Sequence, residues 1–232
     1  MPSLFDRCVA EALGTFGLVF IGAGSVMSIS FPNAGYGTLG IAIAHGLVLS
    51  VMVTSTMAIS GGHLNPAVTI GLLVSKRGNP VSAAAYIAAQ LIGAVAAALL
   101  LKVLYPAGVG RAVSLGTPSI ASSISLNQAI GIEIVLTFFL VSAVFGTCVH
   151  PQAPRVGGFG IGLVLVFDII VGGPLTGGAM NPARAFGPAL VSGQWVGQMV
   201  YWIGPLVGGI LAGLLWEYVL LPRAREPLRT PD

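Results

Sequence analysis

The sequence predicts an all-α membrane protein with six transmembrane helices and two re-entrant half-helices in an inverted repeat. Three observations support this prediction. The 232-residue chain is 55% hydrophobic and only 7% charged, whereas roughly 25% of residues are charged in a typical soluble domain. Six apolar segments reach the length of about 20 residues that is needed to cross a bilayer. The tripeptide Asn-Pro-Ala occurs twice, beginning at Asn65 and again 116 positions later at Asn181.

The six predicted spans are separated by short segments rich in Gly, Pro, Asn and Ser, which are typical of turns. Two further apolar segments, at about 65–75 and 181–192, follow the Asn-Pro-Ala motifs and are too short to cross a bilayer. The chain therefore reads as one domain with two repeats, 8–104 and 126–221, and a cytoplasmic tail at 223–232. The spans are predicted at about 8–29, 37–58, 82–104, 126–148, 156–174 and 197–221.

The two halves of the chain carry matching residues. Gly46-Leu47-Val48-Leu49 recurs as Gly162-Leu163-Val164-Leu165 at the same interval as the Asn-Pro-Ala pair, and Glu11 recurs as Glu133. Because each half contains three spans, an odd number, the second half must enter the membrane upside down. The two half-helices then enter from opposite faces and meet near the midplane, N-terminus to N-terminus.

Basic residues define the orientation of the chain. One side of the six-span topology carries Arg7, Lys76, Arg77, Arg155, Arg223, Arg225 and Arg229, and the other carries only Lys102 and Arg111. Lys and Arg accumulate in cytoplasmic loops, so both termini are predicted to be cytoplasmic. The positive-inside rule thus accounts for most of the basic residues behind the formal net charge of +3, and nucleic-acid binding is not predicted. Two cysteines are too few for a disulfide framework.

The Asn-Pro-Ala motifs favour a helix start and provide groups that can bind a passing neutral solute. Asn is a favoured N-cap, and Pro fits the first helical position because its missing N–H has no intrahelical partner there. Two helix N-termini that face each other concentrate partial positive charge, which repels cations but not neutral molecules. The Asn amides can donate N–H groups to a passing solute, and Arg184 adds a permanent charge. The pattern predicts a narrow pore, closed to ions, at Asn65, Pro66, Ala67, Asn181, Pro182 and Ala183.

These features resemble the aquaporin (major intrinsic protein) family over about residues 8–221. The resemblance rests on the run Gly-Gly-His-Leu-Asn-Pro-Ala-Val-Thr at 61–69, on the second motif followed by Arg184, and on the half-repeat across six spans. It implies a single channel domain over 1–232 that passes water and small neutral solutes across the lipid bilayer. It further implies a homotetramer with one pore per protomer. The residues themselves predict no cofactor or metal.

Members of this family have a second constriction formed by four positions, and water-selective members commonly have an aromatic residue, a His, a small residue and Arg there. The matching residues here are His45, Ile169, Gly178 and Arg184, so the chain differs at the first two. This set resembles that of a subgroup of plant tonoplast intrinsic proteins whose pores are linked to ammonia as well as water. Exchanging a polar ring for Ile removes a hydrogen-bond donor and widens the gap. The His that this subgroup carries in its third loop has no counterpart in 105–125.

Other functions fit the sequence less well. Glycerol-conducting relatives usually have Asp where this chain has Ala185. A strictly water-selective channel stays open as an alternative. So does a secondary transporter, which also uses inverted repeats and broken helices, although no acidic residue aligns with the half-helix tips. The intact Asn pair and Arg184 disfavour a non-conducting junction protein. An enzyme is not predicted, because no nucleophile–base set is present.

Several polar residues are predicted to support the pore. Glu11 and Glu133 should accept backbone hydrogen bonds from the half-helix loops, with a proton relay as the alternative. His63 either faces the pore or holds its own loop in place, and Asp168 has no partner visible in the sequence. Tyr and Trp residues near the ends of the last span are expected to anchor it at the membrane interface. The brevity of the termini favours a plasma (inner) membrane.

Overall fold

The computed structural model describes residues 2–222, and within them every regular element is helical. Six helices in this range are long and apolar enough to span a membrane, which confirms the predicted fold class. The tail predicted at 223–232 lies outside the described residues, as do Arg223, Arg225 and Arg229. The spans are Leu4–Ser28 (α1), Gly37–Thr56 (α2), Pro80–Leu104 (α4), Leu126–Val144 (α6) with a π-helical turn at Phe145–Val149, Phe159–Thr176 (α7), and Val200–Leu215 (α9) with a π-helical turn at Trp216–Leu220.

Two short helices follow the Asn-Pro-Ala motifs, as the sequence predicts. They are Pro66–Val74 (α3), with 9 residues, and Pro182–Ser192 (α8), with 11 residues. At a rise of about 1.5 Å per residue, each extends across roughly half of a hydrocarbon core that is about 30 Å thick. The N-cap of each helix is the Asn of its motif and the first helical residue is the Pro.

The repeats are built by equivalent close contacts. In the first repeat α1 packs along α4, and in the second α6 packs along α9. A Cβ at Gly93 would collide with the carbonyl oxygen of Ala12 on α1, and a Cβ at Gly208 would collide with that of Ile134 on α6. Glycine at these crossings lets the two backbones approach closely, as is common between membrane helices. The same packing device therefore operates in both halves of the chain.

The halves join where α2 crosses α7. Gly46 and Gly162, which the 116-residue interval makes equivalent, face each other at this crossing, and a Cβ at Gly46 would lie 2.6 Å from the Gly162 carbonyl oxygen. The half-helices complete the connection, since α3 packs against α9 and α8 packs against α4. Each half-helix thus packs mainly against a span of the opposite repeat, which places both motifs between the two halves.

The loop at 105–125 is more ordered than the sequence suggests. It contains a short helix, Ala107–Ala112 (α5), and a 3₁₀ turn, Ser114–Gly116. That turn packs against α1 and α8, and its backbone is left-handed at Ser114, Leu115 and Gly116, with φ of 47°, 54° and 73°. The loop therefore reaches into the molecule beside the second half-helix.

One expectation about the last span was wrong. Tyr201 lies near the start of α9 but is completely buried, and its hydroxyl donates to the carbonyl oxygen of Thr176 at 2.8 Å. A buried tyrosine hydroxyl needs such a partner, so Tyr201 anchors a loop of the second repeat and not the membrane interface. Tyr218, near the other end of the span, is 53% exposed, as an interfacial aromatic residue would be.

Candidate functional site

A narrow cavity lies between the two repeats, at the junction of the half-helices. Its wall is mostly apolar, and only ≈ 20 Å³ is open to the centres of water-sized molecules. One water needs at least roughly 10–15 Å³ by that measure, so solutes could pass only one at a time. The polar side chains on its wall are His45, His63, Asn65, Asn181 and Arg184.

The two motif asparagines bind the half-helices to each other. The Oδ1 atom of Asn65 accepts the N–H of Ala67 at 2.8 Å, and Oδ1 of Asn181 accepts the N–H of Ala183 at 3.0 Å. These N-caps turn each Nδ2 group away from its own helix. Nδ2 of Asn65 donates to the carbonyl oxygen of Met180, and Nδ2 of Asn181 donates to that of Leu64, both at 2.9 Å.

This exchange leaves each asparagine with one unused donor. A primary amide has two N–H protons, and the bond to the opposite loop uses one of them. Both side chains form part of the cavity wall, so the second proton is available to a solute there. The carbonyl groups that receive the cross-bonds belong to Leu64 and Met180, which have matching left-handed φ values of 51° and 50°.

Each half-helix loop is held by a buried glutamate, as the sequence predicted. In the second repeat, Glu133 accepts the N–H of Ala179 at 3.0 Å, the N–H of Met180 at 2.7 Å and the hydroxyl of Thr176 at 2.7 Å. Both carboxylate oxygens are occupied by loop donors, and the residue has no solvent exposure. Such an arrangement satisfies backbone groups that would otherwise lie unpaired in a membrane.

The first repeat has the same arrangement with one addition. Glu11 accepts the N–H of His63 at 2.9 Å, the N–H of Leu64 at 2.6 Å and the hydroxyl of Ser60 at 2.6 Å. It also accepts Nε2 of Gln90 at 2.8 Å. Sequence inspection did not single out Gln90, because nothing in the second half repeats it.

A pair of tyrosines completes the symmetric support. The hydroxyl of Tyr86 donates to the carbonyl oxygen of Ser60 at 2.8 Å, and Tyr201 does the same to Thr176 in the other half. The two tyrosines are 115 positions apart along the chain, and the residues whose carbonyl groups they bind, Ser60 and Thr176, are 116 positions apart. The repeat interval was the available signal for this pair, and it would have distinguished Tyr201 from a surface aromatic residue.

Arg184 and His45 are brought together at the cavity wall. Arg184 is 4% exposed, its Nη1 donates to the carbonyl oxygen of Gly116 at 2.8 Å, and its Nη2 lies 3.4 Å from Nε2 of His45. Nδ1 of His45 lies 2.9 Å from the carbonyl oxygen of Ile41. A carbonyl can only accept, so Nδ1 carries the proton. Nε2 then presents its lone pair to the guanidinium.

The two other predicted constriction residues, Gly178 and Ile169, lie in different positions relative to the cavity. Gly178 contributes to the cavity wall, whereas Ile169 is not part of that wall in the described structure. Ile169 is 3% exposed and lies behind Gly178, where a Cβ on the glycine would sit 3.5 Å from its Cα and Cγ1 atoms. The structure thus brings His45, Gly178 and Arg184 to one cavity and places Ile169 against the glycine.

The structure also shows where the remaining polar candidates, His63 and Asp168, lie. His63 lies on the cavity wall and pairs through Nδ1 with the Thr69 hydroxyl at 3.1 Å, so it both faces the cavity and holds its loop. Asp168 is 2% exposed, and its Oδ2 has no hydrogen-bond partner among the described residues. Within residues 2–222, no group of three or more His, Cys, Asp or Glu side chains could hold a metal ion.

Gly116 is a supporting residue that the sequence did not reveal. Its φ is +73°, and a Cβ there would lie 2.8 Å from the Cα of Ala23. We expect Gly116→Ala to destabilise the fold by about 1–3 kcal/mol and to displace the carbonyl that binds Arg184. Thermal unfolding in detergent measures the first effect. Gly108→Ala, which meets open space in the same loop, is the control, and equal melting of the two variants would contradict this role.

Comparisons with known proteins agree with this architecture. The profile described as Major intrinsic protein matches residues 1–216. Probable aquaporin TIP3-2 of Arabidopsis thaliana is 40% identical, covering 97% of this chain and 88% of the relative. Aquaporin TIP4-4 of Zea mays is 42% identical, covering 97% and 90%.

A solved structure shares both fold and sequence with the chain. The X-ray structure of the aquaglyceroporin from Plasmodium falciparum superposes with a TM-score of 0.82 at 25% identity, covering 94% of this chain and 97% of that one. Family profile, relatives and fold agree over nearly the full length of the described residues. The chain belongs to the major intrinsic protein (aquaporin) family.

Proposed function

We propose that this aquaporin is a passive channel that conducts water and ammonia and excludes protons and other ions. As a member of a channel family it is an integral multi-pass membrane protein that passes water or small solutes, and it is not an enzyme. The single observation that carries the finer proposal is the composition of the narrow cavity. Two asparagine amides with one unused donor each share its wall with the Arg184–His45 pair.

Proton exclusion follows from the direction of these donors. A water that accepts an N–H from Asn65 or Asn181 points its oxygen at the motif, and its own hydrogens then point away on both sides. Proton transfer along a file of waters needs the waters to share one orientation, which this reversal prevents. The N-termini of α3 and α8 add partial positive charge at the same place, and Arg184 adds a full charge.

The ammonia part of the proposal rests on the wall near Arg184. Gly178 has no side chain, and the residue behind it is the apolar Ile169. His45 presents a lone pair at Nε2 that already faces the guanidinium. This end of the cavity therefore has few hydrogen-bond donors besides Arg184. Ammonia has a single lone pair and is a weaker match than water for a donor-rich constriction, so a constriction with few donors discriminates less against ammonia.

The test is ammonia entry into liposomes that contain the purified protein. A trapped pH dye follows internal alkalinisation after rapid mixing, and osmotic shrinkage of the same vesicles shows that the pores are open. Alkalinisation faster than in empty vesicles is expected. Fast shrinkage together with alkalinisation no faster than in empty vesicles would indicate a strictly water-selective channel. Saturable flux that depends on a coupling ion would favour a secondary transporter.

Replacing His45 by Phe tests the constriction directly. The larger apolar ring should narrow the space beside Arg184 and remove the Nε2 contact, so the ratio of ammonia flux to water flux should fall. The ratio is measured by the paired assay on one set of vesicles. Leu47→Phe is the matched control, because Leu47 lies on the same helix and is 55% exposed. An unchanged ratio of ammonia flux to water flux in His45→Phe would show that His45 does not form the constriction.

Two further proposals concern the setting of the channel. Homotetramer formation, with one pore per protomer, is proposed from the family resemblance and is measured by light scattering in detergent. The TIP-type relatives favour a vacuolar membrane over the plasma membrane predicted from the sequence, and cell fractionation distinguishes the two. Neither proposal changes the chemistry of the cavity.

A further inference from the structure

A second feature of the molecule lies on its outer surface, away from the pore. A shallow surface groove between α4 and α8 has a volume of about 360 Å³, and its wall is almost entirely apolar. One side is formed by α4 and the other by the ring of Phe186 on α8. Its lining residues are Leu91, Ile92, Val95, Ala96, Leu99 and Phe186.

A second, more polar cavity of about 440 Å³ lies between the ends of the same two helices. Its wall includes Lys102 from the last turn of α4, Arg111 from α5, and the serines Ser114 and Ser192. No carboxylate lines either cavity in the described part of the chain. Lys102 and Arg111 are also the two cations that the predicted topology places on the non-cytoplasmic side, so this cavity gathers the positive charge of that face.

The two cavities follow one another along the helices. Leu99 of the apolar groove is one turn before Lys102 on α4, and Phe186 is six residues before Ser192 on α8. At about 1.5 Å per residue, those six residues correspond to about 9 Å of depth. Because α8 begins near the midplane, Ser192 lies near the edge of the hydrocarbon layer, about 15 Å from the centre. The apolar groove therefore lies at acyl-chain depth and the basic cavity at headgroup depth.

Aromatic residues lie beside the apolar groove. Phe186 packs edge-to-face against Trp195 and Trp202, with ring centroids 5.9 and 6.2 Å away. Trp and Tyr are enriched where the headgroups meet the acyl chains. This aromatic cluster adjoins the apolar groove through Phe186, which lines it.

We propose that the basic cavity and the apolar groove together bind one anionic phospholipid of the non-cytoplasmic leaflet. The phosphate lies between Lys102 and Arg111, where two cations without a neighbouring carboxylate favour a net negative headgroup. One acyl chain runs past Leu99 to Phe186. A soluble anion would leave the apolar half of the groove empty, and a zwitterionic lipid would bring its own cation to a site that already has two.

Native mass spectrometry of the purified protein tests the proposal. Phosphatidylglycerol and phosphatidylcholine with identical acyl chains are added separately, and tighter binding of phosphatidylglycerol is expected. Lys102→Ala with Arg111→Ala should weaken phosphatidylglycerol binding roughly 30-fold and leave phosphatidylcholine binding unchanged. The matched control is Lys76→Ala with Arg155→Ala, which removes two exposed cations from the opposite face. Equal binding of the two lipids by the parent protein, or equal losses in the two double variants, would overturn the proposal.

A second variant tests the acyl chain. Ala96 is exposed and lines the apolar groove, so Ala96→Trp fills the groove without touching the cations and should also weaken phosphatidylglycerol binding. Glycerol phosphate, the headgroup without chains, should not displace the lipid at millimolar concentration. Unchanged binding in Ala96→Trp, or full displacement by glycerol phosphate, would show an anion site that needs no lipid and would contradict the proposal.

Discussion

Glu133→Gln is expected to lower stability by about 3–5 kcal/mol and to abolish water flux in most of the purified protein. The carboxylate of Glu133 accepts two backbone N–H groups and the Thr176 hydroxyl. A glutamine amide would turn its NH₂ group toward at least one of those donors, leaving it buried without an acceptor. Unpaired buried donors cost about 1–3 kcal/mol each, and removing a charged partner from a buried network costs more.

Thermal unfolding in detergent and osmotic shrinkage of proteoliposomes measure both parts of this prediction. The control is Glu217→Gln, because Glu217 forms a partly exposed ion pair with Arg77 at 2.8 Å. Surface pairs contribute about 0–1 kcal/mol, so the control should melt close to the parent. If the two variants melt alike, Glu133 does not hold the loop that begins the second half-helix.

Arg184→Ala is expected to increase proton leak by tenfold or more while water flux continues. The guanidinium is buried and is the full positive charge on the cavity wall. At about 4 Å and an effective dielectric constant near 20, it repels a passing cation by about 4 kcal/mol. Losing only a third of that barrier would increase proton flux about tenfold. The cavity would also widen, so larger neutral solutes such as urea should enter.

Arg184→Lys separates charge from shape in the same assay. Lysine keeps the charge but cannot donate to Gly116 while reaching His45 in the planar geometry of arginine. We expect proton exclusion close to that of the parent and a solute leak between the parent and Arg184→Ala. Proton and urea leaks in Arg184→Ala that equal those of the parent would show that Arg184 does not form the constriction.

The six spans and both half-helices could be predicted because their signals are local. Apolar length sets a span, and an Asn-Pro pair at the start of a short apolar run sets a helix start. The repeat of three spans in each half then predicted the inverted arrangement. The roles of Glu11 and Glu133 followed from a general requirement, since loop N–H groups inside a membrane need an acceptor and few other acids lie within the spans.

Contacts that depend on distant parts of the chain could not be predicted in this way. Gly116 binds Arg184 across 68 positions, and its loop looked like an ordinary Gly- and Ser-rich connection. Tyr201 has the composition of an interfacial residue, but its burial depends on how α9 packs against α6. Ile169 packs against Gly178, whose backbone is left-handed with φ of 53°, and sequence spacing shows neither the contact nor the backbone conformation.

The most direct measurement compares water flux and proton flux on one preparation of proteoliposomes. Osmotic shrinkage gives the first, and a trapped pH dye under an imposed potential gives the second. Two half-helices that meet at Asn65 and Asn181 predict shrinkage well above that of empty vesicles, with a proton leak equal to theirs. A proton leak that increases with the amount of protein, in parallel with shrinkage, would contradict the proposed pore.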